Sequence, residues 1–363
     1  MKKKIIIGGA CLLVILCVVV AVFVLSLDRS ADLPEEGDCV WTAWITKDEG
    51  KYGKASVFTR KCLDCGATQS YEAKPCNHLK YEDDGNGFVD ITGVSKSCDC
   101  GFMYILSSSP DGKQVKIIGD SAFMDNSGIR FVYMEEGIES IDVAAFAGCL
   151  QLLSVHLPES VAYIEAQAFF DCNSLYTVNI PSGIAAIKEY TFGACWALRD
   201  IEIPKGVTSV DMGAFSICTS LKSISLPESV KALGKNVFSG CTSLESISMP
   251  GVEGELKSET FGSCTSLKEF TIPKGVTTIL TSAFFNCSSL EKLYIPKTVD
   301  ILEFEEGDSP FMMCDASKLK VYCEAEAAPE NWLEGYDICN YILSDDGKTN
   351  TPVRAQFIFG ADF

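Results

Sequence analysis

Two pairs of closely spaced cysteines near the start of the chain have the residue types and spacing of a zinc site. Cys62 and Cys65 are separated by two residues and followed by a glycine, whereas Cys98 and Cys100 are separated by one residue. A Cys-x-x-Cys turn directs two thiolates at one tetrahedral ion, and a second pair would complete the coordination. We therefore predict that these four cysteines can hold zinc, although the gap in the second pair is shorter than usual.

Disulfides are the competing prediction for the same stretch. Residues 39–100 contain six cysteines, and small exported modules rich in cysteine are typically stabilised by disulfides. Cys76 and His78 are an alternative second pair for a zinc ion. Because the spacing alone does not decide between metal ligation and cross-linking, both interpretations stay open.

A short acidic segment, Glu82–Gly93, resembles a calcium-binding loop in composition. Its candidate oxygen ligands are Asp84, Asn86 and Asp90. An EF-hand loop normally starts with Asp and ends with a bidentate Glu at the twelfth place, whereas this segment starts with Glu and ends with Gly. Its Gly-Asn-Gly sequence favours instead a β-hairpin in which residues 79–81 pair with residues 88–91.

Enzymatic motifs are missing from the sequence. It has only two histidines, His78 and His156, and contains no Gly-x-Ser-x-Gly, His-Glu-x-x-His or phosphate-binding glycine loop. We therefore predict that the protein is not an enzyme and has no resident cofactor, apart from the zinc considered above. A formal net charge of −19 repels phosphate backbones, so we expect no binding to nucleic acid.

The N-terminus has the pattern of a membrane anchor. Lys2, Lys3 and Lys4 precede an uncharged apolar run over residues 5–27, which is long enough to cross a hydrocarbon core of about 30 Å. Cytoplasmic lysines would leave the rest of the chain outside the cell. We predict a single-pass protein of the cell membrane with an extracellular C-terminal region, secreted instead if this segment is cleaved as a signal sequence.

A 23-residue repeat organises most of the remaining chain, with phenylalanine, cysteine and leucine recurring in register. The phenylalanine column is Phe123, Phe146, Phe169, Phe192, Phe215, Phe238, Phe261 and Phe284. The column three residues later is Asn126, Cys149, Cys172, Cys195, Cys218, Cys241, Cys264 and Cys287. Several columns in register over this length predict a stack of short units, each packed against its two neighbours.

A single unit would not fold by itself. It offers about eight apolar side chains worth about 1.5–3 kcal/mol each when buried, whereas ordering its backbone costs about 1–2 kcal/mol per residue. Apolar and polar residues alternate with period two in stretches such as residues 221–226, as they do in strands. The sequence therefore predicts a solenoid with a parallel β-sheet along one face.

The unit Phe-x-x-Cys-x-x-Leu-x-x-Val-x-Ile-Pro-x-x-Val-x-x-Ile-x-x-x-Ala-Phe resembles the BspA-like leucine-rich repeats of surface proteins in bacteria and some protists. The resemblance implies a leucine-rich-repeat solenoid, α/β or mainly β, with its parallel sheet on a concave face. The stretch from Leu319 to Trp332 is similar to the capping tail that follows such repeats. The predicted layout is an anchor or signal sequence in residues 1–27, a Cys-rich extracellular module with a β-hairpin in 28–101, repeats in 102–317 and a C-terminal cap in 318–363.

The resemblance also implies adhesion to, or interaction with, a host or bacterial protein or glycan. A structural or scaffolding component of the cell envelope is the alternative. Residues between the inward aliphatics of each strand point outward, so they form the predicted binding stripe. The stripe consists of Phe131, Tyr133, Ser154, His156, Thr177, Asn179, Asp200, Glu202, Ser223, Ser225, Ser246, Ser248, Glu269, Thr271, Lys292 and Tyr294.

The cysteine column faces the interior in the same prediction. Adjacent strands of a parallel sheet lie about 4.8 Å apart, and side chains in one column point the same way. Neighbouring cysteines are therefore too far apart for an unstrained disulfide. We predict a ladder of small buried thiols, with Asn126 taking the same place in the first repeat.

Overall fold

The computed structural model describes residues 42, 45–48, 56–61, 68–95, 101–303, 309–330, 332, 339–343, 350–354 and 356–363. These residues belong to one of the two compact units into which the chain divides, Thr42–Lys61 together with Thr68–Phe363. The predicted anchor in residues 5–27 lies outside the described residues, as do Cys62, Cys65, Cys98 and Cys100. In the described part of the chain, no helix has the length and apolar character to cross a membrane.

The described residues form strands and turns, and none of them is helical. The strands that precede the first repeat phenylalanine are β1 (Ile45–Asp48), β2 (Ser56–Lys61), β3 (Thr68–Ala73), β4 (Leu79–Asp83), β5 (Phe88–Val94), β6 (Phe102–Ile105) and β7 (Gln114–Ile118). The strands of the repeats are β8 (Phe131–Met134), β9 (Ser140–Ile141), β10 (Ser154–His156), β11 (Tyr163–Ile164), β12 (Thr177–Val178), β13 (Ala186–Ile187), β14 (Ser209–Val210), β15 (Ser223–Ser225), β16 (Ala232–Leu233), β17 (Ser246–Ser248), β18 (Glu253–Leu256), β19 (Glu269–Thr271), β20 (Gly275–Ile279), β21 (Lys292–Ile295) and β22 (Ile301–Leu302). The C-terminal strands are β23 (Lys320–Cys323), β24 (Cys339–Leu343), β25 (Asn350–Arg354) and β26 (Gln356–Phe359).

Two sets of parallel strands run along the repeats. Each repeat supplies one strand to each set, except that the repeat with Asp200 and Glu202 has no strand in the first set. The first set carries the predicted stripe and is called the stripe face; it consists of β6, β8, β10, β12, β15, β17, β19, β21, β23 and β26. The second set, called the second face, consists of β5, β7, β9, β11, β13, β14, β16, β18, β20 and β22. Neighbouring strands pair one repeat apart, as in Ser223 with Ser246 and Ser209 with Ala232. The predicted parallel-strand solenoid is therefore confirmed, and its described part is mainly β.

The phenylalanine segments form a third side made of turns rather than strands. Their backbones still bond from repeat to repeat: the Phe123 amide donates to the Ala145 carbonyl at 2.8 Å, and the Phe146 amide donates to the Ala168 carbonyl at 2.8 Å. The rings behind these bonds are stacked and fully buried from Phe123 to Phe311, with centroids 4.9–5.9 Å apart. Each buried ring contributes about 1.5–3 kcal/mol, which no repeat obtains without both neighbours.

The cysteine column lies in the core as free, buried thiols from Cys149 to Cys287, which confirms the prediction. Each thiol donates to the carbonyl of the phenylalanine in the preceding repeat at 3.0–3.2 Å, as Cys149 does to Phe123. Burial raises the pKa of Cys241 to about 12, so the thiolate form is disfavoured. In the first repeat Asn126 serves a different purpose, because its side-chain oxygen accepts from the amides of Gly128 and Ile129.

The ends of the solenoid depart from the repeat. At the N-terminal end, β4 and β5 form the predicted antiparallel hairpin. The strand β5 also pairs in parallel with β7, the next strand of the second face. The Asp84 carboxylate accepts from the amides of Asn86 and Phe88, so it stabilises the turn rather than standing free as a calcium ligand. At the C-terminal end, β26 pairs with β23 as the last strand of the stripe face.

Candidate binding surface on the stripe face

The stripe residues do not share one environment. Ser154 is buried with 2% of its surface exposed, and Phe131, Tyr133, His156, Thr177, Asn179 and Tyr294 are half-buried. The exposed members are Asp200, Glu202, Ser223, Ser225, Ser246, Ser248, Glu269, Thr271 and Lys292, which we call the open segment. The expectation that all stripe residues face solvent is therefore corrected at both ends of the face.

A small antiparallel sheet formed by β1, β2 and β3 covers the N-terminal end of the stripe face. Phe58 of β2 is fully buried. Its ring centroid lies 4.8 Å from that of Phe102, 5.1 Å from that of Tyr104 and 4.9 Å from that of Tyr133. These outward-pointing rings therefore form a second, smaller core under β2, which explains why Tyr133 is not open to solvent.

Arg60, two residues further along β2, connects this antiparallel sheet to the repeats. The side chain is 7% exposed, and its guanidinium carbon lies 5.5 Å from the centroid of the Phe131 ring. Its Nη1 donates to the Tyr176 hydroxyl at 3.2 Å, and its Nε donates to Gln69 Oε1 at 2.8 Å. A buried guanidinium is tolerated only when its donors are satisfied, so these contacts fix β2 on the stripe face.

His156 and Asn179 serve the fold at the edge of the covered region. The His156 ring stacks on Tyr133 with centroids 4.7 Å apart and planes 9° from parallel. Burial lowers the pKa of His156, and the nearby carboxylates of Glu136 and Glu159 oppose that shift only in part. Asn179 accepts from the Leu157 amide at 2.8 Å and donates to the Leu157 carbonyl at 2.7 Å. Its amide is therefore occupied by the neighbouring strand.

The open segment is flat, polar and aligned in rows. Ser223 pairs in register with Ser246, and Ser225 with Ser248, so two rows of serines run along the face. Lys292 forms an exposed ion pair with Glu269 at 3.3 Å, which contributes little to stability. Such a surface offers hydroxyls and carboxylates rather than large side chains, and hydrogen bonding is the chemistry available to it.

A pocket lies at the C-terminal end of the open segment. It has a volume of 410 Å³ and lies between the strands β19 and β21 and the last two residues. We call it the C-terminal pocket, and its lining includes Glu269, Thr271, Lys274, Tyr294, Asp362 and Phe363. Tyr294 stacks on Tyr322 with centroids 5.0 Å apart, and its centroid lies 5.2 Å from that of Phe363. Sequence reasoning missed this pocket, because Asp362 and Phe363 lie outside the repeat.

Metal sites are not found where the structure describes the chain: no group of three or more His, Cys, Asp or Glu side chains there is placed to hold an ion. The cysteines predicted for zinc or disulfides lie outside that part. His78 and Cys76 are described, and Cys76 is buried against the start of the solenoid core.

The repeats match the family described as BspA type leucine rich repeat region, in six copies over residues 116–215 and 185–317. The chain belongs to this family. The BspA-type repeats thus cover more than half of the sequence, from β7, the strand before Phe123, to a point just beyond Phe311. No curated protein matches the chain.

Three solved structures are similar in part. A leucine-rich repeat protein from Bacteroides ovatus is 21% identical with a TM-score of 0.49, over 78% of this chain and 66% of that one. A leucine-rich repeat protein from T. pallidum is 26% identical with a TM-score of 0.48, over 53% of this chain and 90% of that one. A leucine rich cell surface protein from Faecalibacterium prausnitzii is 21% identical with a TM-score of 0.33, over 70% and 94% of the two chains.

Proposed function

We propose that this BspA-type repeat protein is displayed outside the cell and binds an external protein or glycan through the open segment. The observation that carries the proposal is the uneven cover of the stripe face. The chain's own residues cover the N-terminal end through Phe58 and Arg60 and the C-terminal end through Phe363. The rows between them stay exposed over successive repeats, and regular sheet faces of solenoids are their usual binding surfaces.

Display at the surface is part of the proposal and follows from the sequence. Three lysines before an apolar run over residues 5–27 favour an anchor with the repeats outside the cell. The Cys-rich stretch of residues 28–101 would then stand between the membrane and the repeats. Adhesion is the role that suits an anchored solenoid of this kind.

The character of the open segment sets the kind of binding that we expect. It lacks Trp, Tyr and Arg, the residues that dominate compact hot spots in protein interfaces. Affinity would have to come from many modest hydrogen bonds over several repeats. We therefore expect a partner that extends along the solenoid, bound with modest affinity at any single repeat.

The test is a binding screen with the full-length protein against extracellular-matrix proteins, mucins, glycans and intact bacterial envelopes. The informative variant is Ser225→Arg with Ser248→Arg, which puts two long cations on the exposed rows. The matched control is Ala185→Arg with Ala232→Arg, which adds the same charges to exposed positions near the second face. We expect saturable binding that the first pair abolishes and the control preserves.

A scaffolding role in the cell envelope is the alternative, and the absence of large anchoring side chains in the open segment favours it. A scaffold would self-associate or co-purify with envelope components. In that case both arginine pairs would leave the association unchanged, and no external partner would saturate. This outcome would replace the proposed binding function with the structural one.

A further inference from the structure

We propose that the C-terminal pocket binds one sugar residue of an extended saccharide, so that a glycan chain lying along the open segment is the ligand. This inference rests on the proposed function and narrows it, because the pocket and the open segment share Glu269 and Thr271.

An aromatic wall is the first feature that points to a sugar. Tyr322 stacks on one face of Tyr294, with the planes 18° from parallel. On the other side, the residue in register with Tyr294 is Thr271, whose small side chain leaves room beside the ring. Phe363 adds a tilted ring at 56° to Tyr294 and is 42% exposed. One face of a pyranose ring presents only C–H groups, which pack against aromatic faces while the hydroxyls point away.

The polar lining supplies partners for those hydroxyls. Asp362 and Glu269 offer acceptors, Lys274 offers donors, and the Thr271 hydroxyl offers both. Within the described part of the chain, the side chains of Thr271, Lys274 and Asp362 have no hydrogen-bond or ion-pair partner. A ligand whose groups both donate and accept would satisfy this mixed set, as sugar hydroxyls do.

The charge balance of the pocket favours a neutral ligand. The Glu269 carboxylate is already paired with Lys292, and the other charged side chains of the lining are one ammonium, Lys274, and one carboxylate, Asp362. Counting Lys292, the side chains at the pocket carry two positive and two negative charges, so a charged ligand would meet a like charge for every opposite one and gain little. A neutral polyhydroxylated ring with one apolar face meets no such opposition.

The dimensions agree with a linear polymer. A volume of 410 Å³ lies within the range of about 300–1,000 Å³ for small-molecule sites. The open segment covers five successive repeats, four of which have a strand there, so it is about 20 Å long, and a three-residue strand is about 10 Å long. The area of the open segment, about 20 Å by 10 Å, is much smaller than the roughly 800 Å² that a globular partner buries on each side of a stable interface.

The test titrates the full-length protein with methyl glycosides of neutral hexoses and N-acetylhexosamines and with short linear oligosaccharides of the same sugars. Calorimetry and ligand-observed NMR measure the affinity. We expect saturable binding of at least one oligosaccharide, weakened about tenfold or more by Phe363→Ala and restored by Phe363→Tyr. The matched control is Tyr163→Ala, which removes an aromatic ring that is 61% exposed elsewhere on the solenoid.

The remaining outcomes separate this inference from the proposed function. Ser225→Arg with Ser248→Arg should weaken the oligosaccharides but leave the methyl glycosides unaffected, because a single sugar occupies the pocket alone. If a protein or an oligolysine peptide binds while every saccharide fails, the inference is overturned and the binding function stands. If a saccharide binds equally well to Phe363→Ala, the pocket is not its site. If nothing binds at all, both proposals fail together.

Discussion

The N-terminal end and the centre of the stripe face are built from the same kind of parallel strand but have opposite surroundings. At the N-terminal end, Phe131 and Tyr133 point outward and are packed under Phe58 and Arg60 of β2. In the centre, serines stand at the same outward positions and remain exposed. The alternation of apolar and polar residues along a strand thus predicts which side chains point away from the core. It does not predict whether another part of the chain covers them.

This difference changes the meaning of aromatic residues on a solenoid face. Large rings at outward positions are common in binding hot spots, and they mark docking of the chain's own module here. The small polar residues of the centre, which resemble ordinary solvent-exposed residues, are the ones that remain accessible to another molecule. Variants of the two regions should therefore affect different properties, stability in the covered end and binding in the centre.

The largest effect is expected for Phe58→Ala. Removing a fully buried ring that contacts Phe102, Tyr104 and Tyr133 should cost about 3–5 kcal/mol in the free energy of unfolding of the covered end. Denaturant titration combined with amide hydrogen exchange would localise the loss to β2, β3, β6 and β8. Unchanged exchange in these strands would show that β2 is not held on the stripe face by this ring.

A smaller loss is expected for Arg60→Met. The substitution keeps much of the aliphatic volume but removes the donors to the Tyr176 hydroxyl and to Gln69. Hydrogen bonds to charged groups contribute about 1.5–3 kcal/mol, so the unfolding free energy should fall by about that amount. Arg60→Lys should recover little, because an ammonium does not reproduce the planar fork of donors. Full recovery by lysine would mean that charge alone holds the cover.

The repeats themselves were predictable because their period fixes both neighbours of every side chain. The buried phenylalanine ladder, the thiol ladder and the paired parallel strands all follow from columns that are 23 residues apart. The hairpin of β4 and β5 was predictable from its turn residues. Each of these features depends on neighbours in sequence or at one fixed spacing.

The cover and the C-terminal pocket were not predictable in the same way. Arg60 bonds to a residue 116 positions away, and Phe363 closes a pocket built on strands that precede it by two repeats or more. No period relates these segments to the stripe. One pattern did indicate that this end is covered. The outward positions there hold four aromatic residues, and so large an apolar patch is seldom left exposed to water. They are Phe102, Tyr104, Phe131 and Tyr133.

The pH dependence of the covered end should carry a contribution from His156. Its pKa is lowered in the folded protein by burial, so the unfolded chain binds the proton more readily. Between the lowered pKa and the unperturbed value of about 6.5, stability therefore rises with pH and is lost as the pH falls. We expect His156→Phe, which retains a ring against Tyr133, to remove that part of the slope in denaturation measured at several pH values. An identical slope in both proteins would show that the histidine is not desolvated.

The smallest change in stability is expected for substitutions in the open segment. Ser223→Ala with Ser246→Ala removes two exposed hydroxyls from one row, and exposed substitutions of this kind usually stay within about 0.5 kcal/mol. If the serines serve only solubility, the pair should also leave partner binding untouched. If they form the recognition surface, affinity should fall while the unfolding free energy and the exchange of β15 and β17 stay constant. A stability loss well above that limit would instead place these hydroxyls among the bonds that hold one repeat to the next, and would remove the contrast between the covered and the open region.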